Sequence, residues 1–219
     1  MKILRDNGLT IVLMLLFLGS LIGQWLTGWH VENEQLARHG RPLIGLGQFA
    51  TDAQFLATVF ENWESEFLQM SAYVVLTCML FQKGSAESKD PDAPPRDADL
   101  ARQANKPGAP TILKAGRLWR TLYANSLGLA LFTLFILSFL MHWRFSAQEA
   151  ASEAAMHGWP APTTWEYLAD AQLWFESFQN WQSEFLSTAV LVVFSIFLRQ
   201  RGSPESKAVA APHSQTGAE

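Results

Sequence analysis

The amino-acid sequence predicts an all-α membrane protein with four transmembrane helices, built from two copies of a two-span unit. Residues 7–89 are repeated at residues 125–207, a constant offset of 118 positions, and 30 of the 83 aligned pairs are identical. Unrelated segments would share about one residue in fifteen. Charged residues make up only 16% of the chain, against about 25% in soluble proteins. Four apolar blocks approach the roughly 20 residues that a membrane-spanning helix needs, so each repeat is expected to hold two spans.

The first apolar block, residues 8–29, is predicted to be the first span because it contains no charged residue. Lys2 and Arg5 precede it, as basic residues precede the apolar core of a signal peptide. The block is longer than such a core, and no A-x-A cleavage pattern follows it. Its repeat counterpart lies inside the chain, where a signal peptide cannot lie. We therefore expect a retained membrane anchor.

Residues 30–61 are expected to form an outer loop and the start of a further helix. Within the loop, Glu34–His39 is predicted to be a short helix that Gly40 stops. The further helix should begin near Asp52, whose side chain suits an N-cap.

The helix that begins near Asp52 is predicted to be long, because no Gly or Pro occurs between Asp52 and Lys83. A single helix of about 32 residues would extend roughly 48 Å at 1.5 Å per residue. This length exceeds the hydrocarbon core of a bilayer, which is about 30 Å thick. Residues 62–83 should therefore form the second span, and the first turns of the helix should stand outside the membrane.

The second unit, residues 117–201, is predicted to follow the same order. Its spans are expected at residues 122–143 and 180–200, and its outer loop and helix at residues 144–179, with the long helix beginning near Asp170. Because each unit has an even number of spans, the two units are expected to be parallel. A pseudo-twofold axis should then run along the membrane normal.

Two polar segments complete the chain. Residues 84–116 are rich in Pro, Asp, Ala and Lys and are predicted to be a flexible cytoplasmic linker, and residues 202–219 a disordered cytoplasmic tail. The segments next to the spans, Gln82–Lys89 and Gln200–Lys207, nevertheless differ at only two positions, and the glycine in each is predicted to cap the preceding helix. Either the duplication is recent, or a protein partner recognises the shared Gly-Ser-x-Glu-Ser-Lys sequence.

Basic residues indicate the orientation in the membrane. The N-terminus, the linker and the C-terminus together hold 13 Lys and Arg, whereas the two loops on the other side hold 3. The positive-inside rule therefore places both termini in the cytoplasm. The outer loops and adjoining helix ends hold 12 Asp and Glu. This acidity reflects either the depletion of basic residues outside or an acidic vestibule that attracts cations.

Polar residues of the repeated Asn-Trp-x-Ser-Glu-Phe motif form the main candidate site. These residues are Asn62, Ser65, Glu66, Asn180, Ser183 and Glu184. A carboxylate in a span is energetically costly and indicates a function by default. Glu66 precedes Lys83 by 17 residues, or roughly 25 Å of helix, which puts it near the outer surface. Two interpretations remain: a structural tie between helices, or an ion, proton or ligand site that Glu66 and Glu184 share.

His39 and His157 occupy matching repeat positions and are therefore the better candidates among the histidines. Together with Glu66 and Glu184 they could hold a metal ion, but no close ligand spacing is present, so no metal site is predicted. Haem between helices requires histidines deep in the spans, and none lies there. We therefore expect no cofactor.

Four tryptophans are predicted to lie at the membrane–water interface, where indole rings are enriched. These anchors are Trp25, Trp63, Trp143 and Trp181. Gly19 and Gly23 form a G-x-x-x-G pattern in the first span, a possible contact with a protein partner. The other expected partner is the lipid bilayer, and no nucleic acid is expected.

Nothing in the sequence indicates an enzyme. It contains no nucleophile elbow, phosphate-binding loop, dinucleotide-binding pattern or zinc-protease motif. The single cysteine, Cys78, excludes an intrachain disulfide and a Cys-x-x-Cys redox pair.

The motif in Phe60–Leu68, followed by an apolar stretch and Gly-Ser-Ala-Glu-Ser-Lys, resembles a family of bacterial integral membrane proteins known only as a domain of unknown function. The resemblance implies a location in the bacterial inner membrane and supplies no activity. We expect a structural, accessory or partner-binding membrane component. The alternatives are a small transporter, channel or ion-binding protein that uses Glu66 and Glu184, and a membrane enzyme or redox carrier.

Overall fold

The computed structural model describes residues 2–95 and 97–217, and this part of the chain contains helices and no β-strand. The helices are α1 (Lys2–Arg38), α2 (Leu46–Phe49), α3 (Ala53–Met79), α4 (Leu100–Gln103), α5 (Arg117–Ala124), α6 (Ser126–His157), α7 (Thr164–Tyr167) and α8 (Ala171–Phe197), with a 3₁₀ turn at Thr111–Lys114 between α4 and α5. The predicted all-α class is confirmed for the described residues.

The helices form two compact units. The first unit contains the residues up to Phe60 together with Met141–Leu168. The second contains Glu61–Leu140 together with the residues from Ala169 onward. Helices α3 and α6 each contribute one end to each unit.

Two helices, α1 and α6, are long and apolar enough to cross a membrane by the criteria of length and composition. Their large apolar side chains are widely exposed, as Leu9 at 76% and Leu127 at 62% illustrate. The sequence predicts four spans, and among the described residues these two helices meet the criteria. Helices α3 and α8 have 27 residues each, or about 40 Å at 1.5 Å per residue, but they carry more polar residues.

An asparagine breaks the helix before each long apolar stretch. In α1, Asn7 leaves the helical conformation (φ −130°, ψ 15°) and its side-chain amide donates to the Ile3 carbonyl at 3.2 Å. Asn125 follows α5 with φ −114° and ψ 10°, and its amide donates to the Thr121 carbonyl at 2.8 Å. An asparagine side chain that bonds to nearby backbone competes with helical hydrogen bonding, which explains a break at both positions.

The predicted short helix at Glu34–His39 does not exist as a separate element, because α1 continues through it to Arg38. The predicted stop is confirmed. Gly40 adopts φ +65°, which favours glycine, and the backbone N–H of Arg41 donates to the Leu36 carbonyl at 2.8 Å. In α6 the same ending occurs, with Gly158 at φ +70°.

Helices α3 and α8 begin where the sequence predicts and end earlier than it predicts. Asp52 and Asp170 cap them, and their carboxylates accept the backbone N–H two residues later at 3.0 and 2.8 Å. Met79 ends α3 because the chain then turns away, and the Gln82 N–H donates to the Ser88 hydroxyl at 2.9 Å instead of a helix carbonyl. The predicted helix to Lys83 and the predicted C-cap role of the following glycine are therefore wrong.

In the first unit, the short helices α2 and α7 are held by tryptophans of the long helices. The indole N–H of Trp25 donates to the Leu46 carbonyl at 3.1 Å. The indole N–H of Trp143 donates to the Thr164 carbonyl at 2.7 Å, and Leu46 and Thr164 are themselves 118 residues apart. Gly28 allows α2 to approach α1 closely, since a Cβ at position 28 would lie 3.0 Å from the ring of the buried Phe49 of α2.

Candidate functional site

The repeated motif lies in the second unit, where its polar side chains connect α3 to α8. The Asn180 amide donates to a Glu61 carboxylate oxygen at 2.5 Å. The Trp181 indole N–H donates to a Glu64 carboxylate oxygen at 2.9 Å, and Glu64 is fully buried. One further bond extends the row along the same pair of helices and joins Gln69 of α3 to Thr188 of α8. We call these three bonds the α3–α8 polar contacts.

Glu61 and Glu64, which carry these contacts, were not among the predicted site residues. Their repeat counterparts are Gln179 and Gln182, so the second copy holds an amide where the first holds an acid. A search for positions identical in both copies passes over them. These residues are instead marked by a difference between the copies: inside an otherwise matching motif, the first copy has a charged residue where the second has an amide.

The predicted motif residues have unequal environments. Asn62, Glu66 and Ser183 are exposed, Ser65 is buried, and Asn180 and Glu184 are half-buried. The hydroxyls of Ser65 and Ser183 donate to carbonyls of their own helices, at 2.9 and 2.8 Å. Glu66 lies near enough to Glu184 for the two charges to repel each other.

The four predicted anchor tryptophans lie in both units. Trp143 is buried, and Trp25, Trp63 and Trp181 are half-buried. The indole N–H groups of Trp25, Trp143 and Trp181 all donate to acceptors of the protein. These three residues therefore hold helices together, whether or not a membrane interface surrounds them.

His39 and His157 lie next to each other in the first unit, with ring centroids 5.9 Å apart and ring planes at 77°. They line a cavity of about 290 Å³ that we call the His pocket. Its other polar residues are Glu32, Gln35, Asp52, Gln54, Glu149, Ser152 and Glu153. The sequence predicted that the two histidines match. It grouped them with Glu66 and Glu184, which belong to the second unit.

Gly19 and Gly23 have open surroundings. A Cβ built at either position would meet no described atom within 4 Å. The G-x-x-x-G face is therefore not used for packing among the described residues, and its predicted role in binding a partner stays a prediction.

The segments at residues 82–89 and 200–207, which we call the Gly-Ser loops, have the same local structure. In each, a glycine with positive φ lies five residues after the last residue of the helix, Gly84 at +88° and Gly202 at +83°. The hydroxyls of Ser88 and Ser206 each accept the backbone N–H six residues earlier at 2.9 Å. The structure thus supplies a physical reason for the sequence similarity of the loops: each needs its glycine and serines to form the turn.

Glu87 of the first Gly-Ser loop lies in an acidic environment. The Tyr73 hydroxyl donates to its carboxylate at 2.8 Å. Partial burial raises the pKa of Glu87, and the charge of Glu205 raises it further, whereas the bond from Tyr73 opposes the rise. Glu205 is the repeat counterpart of Glu87, so this repulsion acts between the two Gly-Ser loops.

Replacing Glu87 with glutamine should make the protein less sensitive to pH. A carboxyl group whose pKa is raised on folding stabilises the fold below its unfolded pKa, and this stability is lost as the pH rises through the folded pKa. Glu87→Gln keeps an oxygen acceptor for Tyr73 and removes the charge. The thermal midpoint of the detergent-solubilised variant should therefore fall less between about pH 4.5 and about pH 7.5 than that of the wild type.

Asp92→Asn is the matched control, because Asp92 is an exposed acid of the same linker. Its pH profile should follow that of the wild type. An unchanged slope for Glu87→Gln would show that this carboxyl group does not contribute to the pH dependence.

Comparisons with known proteins place the whole chain in one family. The family model described as Domain of unknown function (DUF6766) matches residues 1–218. No curated protein and no solved structure matches the chain. The predicted membership of a family of unknown function is confirmed, and the bacterial origin stays a prediction. The chain therefore belongs to the DUF6766 family.

Proposed function

We propose that this protein is a four-span integral membrane protein of the bacterial inner membrane that serves as a structural or accessory component. The observation that carries the proposal is that Asn180 and Trp181 of the second motif copy join α8 to α3 through hydrogen bonds to Glu61 and Glu64. Hydrogen bonds between helices supply the association that hydrophobic burial cannot supply in lipid. A motif engaged in this way serves assembly rather than chemistry.

Exposed apolar surface on α3 and α8 supports their assignment as the second and fourth spans. In α3, Val75, Leu76 and Met79 are 46%, 44% and 64% exposed. In α8, Phe194 and Phe197 are 53% and 58% exposed. A contiguous apolar face of this kind is rare on a soluble monomer and is accommodated by lipid. Four spans put both termini and the linker on one side of the membrane, and the excess of Lys and Arg in these segments indicates that this side is the cytoplasm.

Topology is tested with reporter fusions in bacterial cells. A reporter active only outside the cytoplasm is fused after residue 45, 105, 161 or 213, and a reporter active only inside is fused at the same sites. We expect outside activity at residues 45 and 161, and inside activity at residues 105 and 213. If residues 45 and 105 report the same side, α3 does not span and the four-span proposal is wrong.

The accessory role is tested by purifying the protein from native membranes in a mild detergent. A stable protein partner should co-purify in a fixed ratio, and it should be lost when Gly19 and Gly23 are both replaced by leucine if that face carries the contact. Purification of the protein alone, at every detergent tested, would contradict a partner-binding role.

A transport role is the second candidate, favoured by the proximity of the Glu66 and Glu184 charges. Two like carboxylates near each other attract cations and protons. The test is the double variant Glu66→Gln/Glu184→Gln in liposomes. If the folded double variant shows the same ion flux as the wild type, transport through this pair is excluded.

A further inference from the structure

We propose that the His pocket of the first unit binds a divalent transition-metal ion, with Zn²⁺ as its representative. This inference is independent of the proposed accessory role. His39 and His157 supply the nitrogen ligands, and carboxylates of the pocket complete the coordination.

Backbone contacts define the tautomer of both imidazoles and leave the nitrogen that a metal would bind unprotonated. Nδ1 of His39 lies 2.9 Å from the Gln35 carbonyl oxygen, and Nδ1 of His157 lies 3.0 Å from the Glu153 carbonyl oxygen. A carbonyl oxygen only accepts hydrogen bonds, so each Nδ1 carries the proton in these contacts. Each Nε2 of a neutral ring then holds a lone pair. This is the arrangement in which ligating histidines are usually oriented by a bond from their other nitrogen.

The spacing of the two rings suits a shared ion. Their centroids are 5.9 Å apart, and a tetrahedral Zn²⁺ binds each imidazole nitrogen at about 2.0–2.1 Å. Both side chains are exposed, and their rotation would bring the two Nε2 atoms to one ion. His157 also stacks on Trp159 at 4.7 Å, which restricts its ring and favours a defined position.

The charge of the pocket selects cations. Its lining contains four carboxylates, those of Glu32, Asp52, Glu149 and Glu153, and no Lys or Arg. Such a cluster creates a negative potential that concentrates cations at the histidines. The cluster alone would suit Ca²⁺ or Mg²⁺, which prefer oxygen ligands. Two imidazoles shift the preference to zinc and related transition metals.

The same geometry arises in both copies of the repeat. His39 directly follows the last residue of α1 and His157 is the last residue of α6, and each precedes a glycine with positive φ, Gly40 or Gly158. The C-terminal turn of each helix thereby presents its histidine, and α3 begins beside them at Asp52. Duplication supplied two matched nitrogen ligands that one copy alone would lack.

The experiment titrates Zn²⁺ into the full-length protein, purified in detergent through a tag without histidine and freed of metal with a chelator. Calorimetry should give one Zn²⁺ per chain for the wild type. The double variant His39→Gln/His157→Gln should bind at least about tenfold more weakly. His30→Gln is the matched control, because His30 is an exposed histidine of α1 outside the pocket, next to Glu34. It should bind as the wild type does.

A second measurement uses only the wild-type protein. Diethylpyrocarbonate modifies accessible imidazoles, and mass spectrometry locates the modified residues. Zn²⁺ should protect His39 and His157 and leave His30 reactive. The proposal is overturned if the double variant binds Zn²⁺ as tightly as the wild type, if Mg²⁺ or Ca²⁺ competes equally with Zn²⁺, or if protection falls on His30 instead.

Discussion

Replacing Lys207 with methionine should release the C-terminal segment from the second unit. Lys207 is 1% exposed. Its ammonium group lies among four backbone carbonyls, at 2.6 Å from Gly84, 3.3 Å from Pro212, 3.0 Å from His213 and 3.0 Å from Gln215. Methionine keeps an unbranched apolar side chain that is one atom shorter, and it removes every donor. Hydrogen bonds to a charged group contribute about 1.5–3 kcal/mol each, so the loss should dominate the stability of this segment.

The measurement is hydrogen exchange of the detergent-solubilised protein, followed by mass spectrometry. Amides of residues 208–217 should exchange at least about tenfold faster in Lys207→Met, which corresponds to about 1.4 kcal/mol. The Gly217 N–H, which donates to the Ser85 carbonyl at 2.9 Å, should report the change directly.

Lys89→Met is the matched control, because Lys89 is the repeat counterpart of Lys207. Its exposed ammonium donates to the Cys78 carbonyl and lies over the Phe81 ring at 5.1 Å. This variant should leave the exchange of residues 208–217 unchanged. Equal protection in wild type and Lys207→Met would show that the carbonyl contacts do not hold the segment.

Replacing Trp181 with phenylalanine should destabilise the whole second unit. The indole N–H donates to the fully buried Glu64 carboxylate at 2.9 Å. Phenylalanine keeps much of the ring packing against Phe135 and Phe178, whose centroids lie 6.3 and 5.2 Å away. The donor is lost, and weakening the hydrogen bonding of a buried acceptor costs about 1–3 kcal/mol. Reversible unfolding by a denaturing detergent measures this difference.

Two variants separate the lost bond from other causes. Glu64→Gln keeps an oxygen acceptor for Trp181 and removes the buried charge, so its free energy of unfolding should stay close to that of the wild type. Trp119→Phe tests the same substitution at a side chain that is 54% exposed, where changes are usually within about 0.5 kcal/mol. A Trp181→Phe variant as stable as Trp119→Phe would contradict the role of the bond.

The boundaries of α3 and α8 illustrate what local signals predict. Asp52 and Asp170 begin helices because their side chains accept N–H groups only two residues away. Gly40 and Gly158 end helices because glycine adopts positive φ without a steric penalty. The predicted end of α3 lies four residues too late. The Gln82 N–H donates to the Ser88 hydroxyl instead of a helix carbonyl, and helix propensities take no account of such a side-chain acceptor.

The composition of residues 202–219 favours disorder, yet the structure gives residues 203–217 specific contacts. The cause is Lys207, whose carbonyl partners come from the Gly84 turn as well as from its own segment. A Cβ at position 84 would lie 2.8 Å from the His213 carbonyl oxygen, so glycine is needed for this approach. Amino-acid composition cannot predict this order, because the contacts join residues more than a hundred positions apart in the chain.

The sequence by itself determined the helical class, the positions at which α3 and α8 start, the matching histidines and the membership of the family. Each of these follows from local backbone preferences or from a pattern of residue types. Only the tertiary structure decided that Glu64 is buried beside Trp181 while Glu66 is exposed, and that His39 meets His157. Successive side chains on a helix point about 100° apart, so burial depends on which helix face meets a neighbour.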